Sequence, residues 1–399
     1  MRTNKPHKPQ PIHHLFFLAI TVALTITLSA RYLPTLITSS FPSSSSPATE
    51  RDVQSERLLL VTAYFPLKTS KHSLAEYDAW LTNFMGQIHT DMYIFCPPGE
   101  AQHLRSLIEP SINIGNPAAA VLGTDEPLSS TSPPAPPSTR HVYFDTRFND
   151  CIETPVLASF AKQADYQWSI DTEKTINNPD LYAIWNSKAY FVGEAIRNTT
   201  SRGQAPYKYY FWQDAGAMRT QNTLQYWPSL GRAEEVFKEA TVRRGDGLES
   251  RKGRFGLEGD ADVGDSLILF PFWRLATDEE KAWTEAKGGI PVMLTEGSLF
   301  GGTASSLLWF EKAFYELFEK ILAARKFIGR DQDVFNTLIA QYPSHFFGPV
   351  AYEHLGNWGG CGDRWYYYIY WLASVEERTA MEIKYGWDCP VLPVDYPFW

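Results

Sequence analysis

Three carboxylates stand where the sequence pattern could put them to chemical use. Asp214 closes the apolar run Tyr209-Tyr210-Phe211-Trp212-Gln213 and is followed by Ala215 and Gly216. A carboxylate delivered to the end of a buried strand, with small residues after it, suits a hard divalent cation, which can neutralise a diphosphate. The plainer use of such an aspartate is to cap a turn. Glu296 opens the stretch Glu296-Gly297-Ser298-Leu299-Phe300-Gly301-Gly302, whose exposed N–H groups before a helix suit an anion. It carries no GK[ST] of a phosphate loop and no G-x-S-x-G elbow. Asp331 and Gln332 follow Gly329 and Arg330 at a helix start, a position where aspartate also caps. Glu296 and Asp331 are alternative groups for taking a hydroxyl proton or for stabilising charge at a reacting carbon. Two cations lie nearby in this reading: Lys188, in the first turn of a helix expected over Trp185–Arg197, and Arg219, five residues after Asp214. Either ammonium or guanidinium suits a phosphate.

These groups need a scaffold, and the pattern of short apolar runs alternating with helical spacing supplies one. Leu58–Phe65, Met92–Cys96, Val142–Phe144 and Tyr209–Gln213 read as buried strands, with extended segments at Ser266–Phe272 and Pro291–Leu294. Leu74–Met85 and Ser305–Arg325 have helical spacing. The alternation predicts an α/β body with a mostly parallel central sheet flanked by helices, with ligands at the carboxyl ends of the strands. The aromatic run Arg364–Trp371 suits sugar stacking but fits better a helix packed in the core. Trp358, in a glycine-rich loop, is the better aromatic contact for an acceptor.

Taken in order, Val61-Thr62-Ala63-Tyr64-Phe65, Trp185-Asn186-Ser187-Lys188, Phe211-Trp212-Gln213-Asp214-Ala215-Gly216, Glu296–Gly302 and Asp331-Gln332-Asp333-Val334-Phe335-Asn336 resemble glycosyltransferases of the GT-A fold. The likeness is greatest to the HtrL/YibB group and spans roughly residues 58–345. It implies a nucleotide-sugar donor and a glycan or glycoconjugate acceptor. Donor contacts would come from Thr62, Ala63, Tyr64, Lys188, Asp214, Gly216, Gly301 and Gly302, and acceptor contacts from Trp358 and Gln332. Asp214 stands where such enzymes keep their acidic metal motif, and Gly216 replaces the second aspartate of a full DxD. His354 resembles the late histidine with which glycogenin-like enzymes complete a manganese site, with His345 as the alternative. A divalent cation, Mn²⁺ or Mg²⁺, would then be the cofactor. Two rival readings are a glycoside hydrolase using a carboxylate pair such as Asp214 and Glu296, and a non-catalytic glycan-binding protein.

The chain's 399 residues carry 36 basic and 45 acidic side chains. Residues 1–56 hold five of the bases and three of the acids, so the remainder is strongly acidic. An acidic body argues against nucleic acid as a partner, since that role needs a cationic face. The basic tail 1–14 precedes Leu15–Ala30, an uncharged run of 16 residues. That run covers about 24 Å as a helix, so Arg31 and the residues to Ile37 are needed to complete a span over 15–37. The basic side stays cytosolic, which gives a type II protein of the Golgi or endoplasmic reticulum membrane; the alternative is a cleaved signal peptide. Seven of the nineteen residues 38–56 are serine, the mark of a stem, and Pro127–Thr139 lies in a low-complexity insertion at about 116–140 within the single domain 57–399. In such a compartment Cys361 and Cys389 are expected to pair, and Asn198 of Asn-Thr-Thr to carry a glycan.

Overall fold

Every residue of Leu58–Ala63 (β1) is buried, as are all five of Asp91–Phe95 (β2) and of Tyr209–Gln213 (β4). Runs that are apolar on both pleat faces have to be covered on both sides, and these are. The remaining strands are Val142–Asp145 (β3), Ile268–Leu269 (β5), Leu299–Gly302 (β6) and Phe346–Phe347 (β7). They form one seven-stranded sheet in the order β3-β2-β1-β4-β6-β5-β7. The computed structural model describes residues 57–67, 69–70, 72–108, 140–201, 207–255, 266–355 and 359–398. The tail 1–14, the span 15–37, the stem 38–56, nearly all of the 116–140 insertion and Trp358 lie outside them. Among the described residues no helix is long and apolar enough to cross a membrane.

The sheet is mixed, which corrects the expectation of a mostly parallel one. β3, β2, β1 and β4 run parallel, but β6 is antiparallel to both β4 and β5. The direction of a strand leaves no trace in a doubly buried apolar run, and the glycines of Leu299–Gly302 read as loop rather than strand. Gly301 is in fact a packing device: a Cβ there would lie 2.2 Å from the Phe211 ring on the neighbouring strand. Ser266–Phe272 contracts to the two residues of β5, and Pro291–Leu294 forms no named strand.

The pleat sorts side chains to two cores. Leu59, Val61 and Ala63 join Tyr210 and Trp212 on one face, under the helices Pro179–Ser201, Ala304–Ala323 and Asp331–Gln341. The 304–323 helix starts on Thr303, whose side chain accepts from the Ser306 N–H, and buries Leu307, Phe310, Phe314, Leu317, Phe318 and Ile321 at helical spacing. Leu58, Leu60, Tyr209 and Phe211 face the other core, with Leu81, Phe84, Trp227 and Trp371. The aromatic run divides into a short turn, Arg364–Tyr366, and a helix, Tyr367–Trp371, that buries Tyr367, Tyr368, Tyr370 and Trp371 in that second core. Cys361 and Cys389 form a disulfide with a Cα–Cα distance of 5.1 Å, while Cys96 and Cys151 are buried thiols.

Candidate functional site

β1 lies between β2 and β4, so the chain leaves the carboxyl end of β1 toward one side of the sheet and reaches β4 on the other. Loops that diverge in this way open a crevice at that edge. Asp214, the residue after β4, stands there. Its N–H donates to the Ser298 carbonyl (2.8 Å), which continues the β4–β6 ladder past the end of the strand.

Lys188 draws the site together. The helix that carries it begins at Pro179, so Lys188 sits in mid-helix rather than in the first turn, pointing under the carboxyl edge. Its Nζ donates to the Gly297 carbonyl oxygen (2.8 Å) and to Asp214 Oδ2 (3.2 Å), with Asp214 Oδ1 at 3.1 Å, and forms an ion pair with Asp331 Oδ2 at 2.9 Å. An ammonium has three protons, and oxygens of three residues surround this one. Burial pulls its pKa down, but the Asp214 and Asp331 carboxylates outweigh that and hold it above the usual lysine range. Lys188 is therefore not available to a phosphate, contrary to the expectation from sequence.

The three carboxylates differ in access. The Asp214 side chain is 32% exposed, with Oδ1 also accepting from the Trp212 indole N–H at 2.7 Å. Asp331 is 5% exposed; one oxygen faces Lys188 and the other accepts from the Gln332 N–H at 2.8 Å. Burial raises its pKa against the pull of Lys188. Glu296 is buried, and both its oxygens accept from the Ser298 N–H, with Oε2 also taking the Ser298 hydroxyl. Burial pushes the Glu296 carboxyl up to about 8, opposed by the Ser298 bonds and increased by the charge of Asp214. A relay continues inward, because the Ser298 hydroxyl meets the Tyr368 hydroxyl at 2.7 Å and the Gln213 side-chain amide donates to Tyr368 at 3.1 Å. Ser298 and Gln213 were marked in the sequence only as neighbours of Glu296 and Asp214, and Tyr368 only as part of the aromatic run Arg364–Trp371. Gly297 carried a signal of its own, being glycine: a Cβ there would lie 3.1 Å from Gln332 Cγ and 3.4 Å from Asp331 Oδ2, so its absence leaves room for Gln332.

The rim of the crevice is aromatic and cationic. The Arg219 guanidinium lies 4.9 Å from the Trp80 ring centroid and 5.4 Å from that of Tyr366, and it forms no ion pair among the described residues. Trp80 packs edge-on against Tyr77 and His72. The same rings fill the space beside Gly216, where a Cβ would touch Trp80 at 3.4 Å and Tyr77 at 3.6 Å, so that space is not left open for a diphosphate. Thr62, Ala63 and Tyr64 are all buried at the end of β1, and the Thr62 hydroxyl has no hydrogen-bond partner among the described residues.

Other expected contacts fall elsewhere. Gly301 and Gly302 are buried in β6, so they pack the sheet rather than cradle an anion. Gln332 spends its amide N–H on the Thr295 carbonyl at 2.8 Å, which fastens the Glu296 loop to the 331–341 helix. His354 turns to Asp395 (2.9 Å), in the C-terminal segment, and His345 stacks on Trp309 at 4.5 Å. Asn198 belongs to the Pro179–Ser201 helix rather than a loop, and its side-chain nitrogen, the atom a glycan would occupy, donates to the Tyr93 hydroxyl at 3.0 Å. That bond would have to break before the amide could be glycosylated.

The residues expected to hold a divalent cation do not fit one. Asp214 already serves an ammonium and an indole, His354 serves Asp395, and no cluster of three or more metal-ligating side chains occurs among the described residues. No protein-family profile matches the sequence, and none of the curated proteins matches it.

Proposed function

We propose that this chain is a glycosyltransferase of GT-A type that moves a sugar from a nucleotide-sugar donor to a glycan or glycoconjugate acceptor. The observation that supports it best is the convergence of Asp214, Glu296 and Asp331, from three separate segments, around one lysine at the sheet's switch-point edge. Only Asp214 reaches solvent, so it is the catalytic carboxylate of this reading. It takes the proton of the acceptor hydroxyl as that oxygen bonds to the anomeric carbon, while the bond from that carbon to the diphosphate oxygen breaks and its electron pair leaves with the nucleoside diphosphate. Asp331 and Glu296 are positioning residues that act through Lys188 and through Ser298. The exposed cation on the loop after Asp214 is Arg219, which donates to the Gly216 carbonyl (3.4 Å) and is held against two rings, and in this reading it meets the charge that grows on the departing diphosphate. Residues 15–37 anchor the chain in a Golgi or endoplasmic reticulum membrane in this reading.

The test is a screen of nucleotide sugars for slow donor hydrolysis, followed by Asp214→Asn on the donor found. Turnover should fall ~10²-fold or more while the melting temperature stays within a few degrees. If no nucleotide sugar is hydrolysed and a glycoside is cleaved instead, the hydrolase reading replaces this one. If only glycan binding is seen, the fold serves as a lectin. An active, normally folded Asp214→Asn variant removes the catalytic assignment.

A further inference from the structure

The transferase reading leaves open what neutralises the acidic heart of the site, and the surroundings of Lys188 answer it. We infer that the Lys188 ammonium is the resident cation of this site, taking the place of a divalent metal, so that the donor diphosphate binds without one.

The pocket is built for an ammonium. The oxygens around it come from the end of β4, the loop before β6 and the start of the 331–341 helix, at 2.8–3.2 Å from Nζ. Those are N–H···O distances, whereas Mg²⁺ needs oxygens at about 2.0–2.1 Å in near-octahedral array. A metal and this ammonium cannot share the space. Lys188 is tethered to a helix whose adjacent residues are buried: Asn186 and Ser187 are fully buried, Ala189 is 2% exposed, and Asn186 donates to the Ile328 and Gly329 carbonyls. The Lys188 side chain itself is only 3% exposed. Gly297 supplies its carbonyl to the ammonium, and its missing side chain leaves room for Gln332, whose Cγ would lie 3.1 Å from a Cβ there. The same carboxylates that would ligate a metal are thus already paired with one ammonium, and positive charge toward the ligand comes from Arg219 at the rim.

The inference rests on the transferase reading only for the identity of the ligand, and its test separates the two. Mn²⁺ is titrated into the full-length protein and free Mn²⁺ is read by electron paramagnetic resonance. Thermal shifts with UDP, GDP and inorganic pyrophosphate are measured in EDTA and in millimolar Mn²⁺. The expected result is no stoichiometric Mn²⁺ binding and, for any of the probes that binds, the same shift in EDTA as in Mn²⁺. Binding of one Mn²⁺ per chain that is lost in Asp214→Asn would overturn the inference, as would a nucleotide shift seen only with the metal. Lys188→Ala frees two carboxylates and a carbonyl around an emptied space, so Mn²⁺ should raise the melting temperature of that variant and not of the wild type. A folded Lys188→Ala protein indifferent to Mn²⁺ would also count against it; if the variant does not fold, the wild-type titration decides. Metal-free pyrophosphate binding with no turnover of any nucleotide sugar would sink the transferase reading and leave the inference standing.

Discussion

Glu296 offers a prediction that needs no substrate. Burial raises its carboxyl from the ordinary 4.5 to about 8, so the folded protein holds a proton that the unfolded chain releases at much lower pH. The sign follows from linkage. Between those two values the folded state binds more protons than the unfolded state, so stability falls as pH rises, and the contribution is fully present only below about 4.5. A gap of roughly 3.5 units at about 1.4 kcal/mol each is on the order of 4–5 kcal/mol lost by the time the pH passes 8. For a body of about 340 residues the entropy of unfolding is roughly 0.7 kcal/mol per degree, so that loss is about 6–7 °C. Glu296→Gln keeps the size and the acceptor for Ser298 but cannot ionise. The measurement is melting temperature from pH 5 to pH 9 for both proteins. The two curves should be close at pH 5 and diverge as pH rises, with the variant the more stable by several degrees at pH 9. Asp333, raised to about 7 by burial against Arg330, gives both proteins the same downward slope and cancels in the difference. Parallel curves over the whole range would mean that Glu296 is ionised at neutral pH, and the relay through Ser298 and Tyr368 would need another explanation.

Arg219→Gln should weaken pyrophosphate or donor binding at least ~10-fold, the scale of one lost charge-assisted contact, while leaving the melting temperature nearly unchanged, because the side chain is exposed. Competition by pyrophosphate against the donor measures it, and unaltered affinity would remove Arg219 from the site. Replacing both Cys361 and Cys389 by serine opens a loop with a sequence separation of 28, which should cost about 3–4 kcal/mol in the chain-entropy account and lower the melting temperature accordingly. A variant as stable as the oxidised wild type would show that the helices on either side fasten the tail without it.

Much of the scaffold was legible in the chain, because burial on both faces writes itself as unbroken apolar runs. Tyr209–Gln213 is the strand as read, and Leu58–Ala63 and Ala304–Ala323 differ from their expected bounds by one or two residues. The candidate carboxylates were also visible, since an acid at the end of such a run is conspicuous. What they do was not. Lys188 and Asp331 are far apart in sequence, and nothing local says that the ammonium would be consumed by two aspartates rather than offered to a phosphate. Gly301 and Gly302 read as a loop because glycine is the usual mark of one, whereas here Phe211 and Ser306 occupy the space their side chains would have taken. His354 could be matched by type and place in the chain, but only tertiary packing decides that it turns to Asp395.

The reversal of β6 has a mechanical consequence. A sheet of uniformly parallel strands offers its carboxyl edge only the residues that follow each strand. A strand running the other way offers that edge the residues that precede it, which here are Glu296, Gly297 and Ser298. Gln213 pairs with Leu299, and the next rung joins Asp214 to Ser298. The separation between the accessible aspartate and the buried glutamate is therefore set by a hydrogen-bond ladder up to Ser298, with the Gln332–Thr295 bond holding the loop beyond it. Inserting one residue between Leu299 and Gly302 would slide the Glu296 loop by a rung and turn its side chains to the opposite pleat face, while each strand kept its composition. The geometry of the chemistry is set by counting along a strand, and lengthening a surface loop elsewhere would not disturb it.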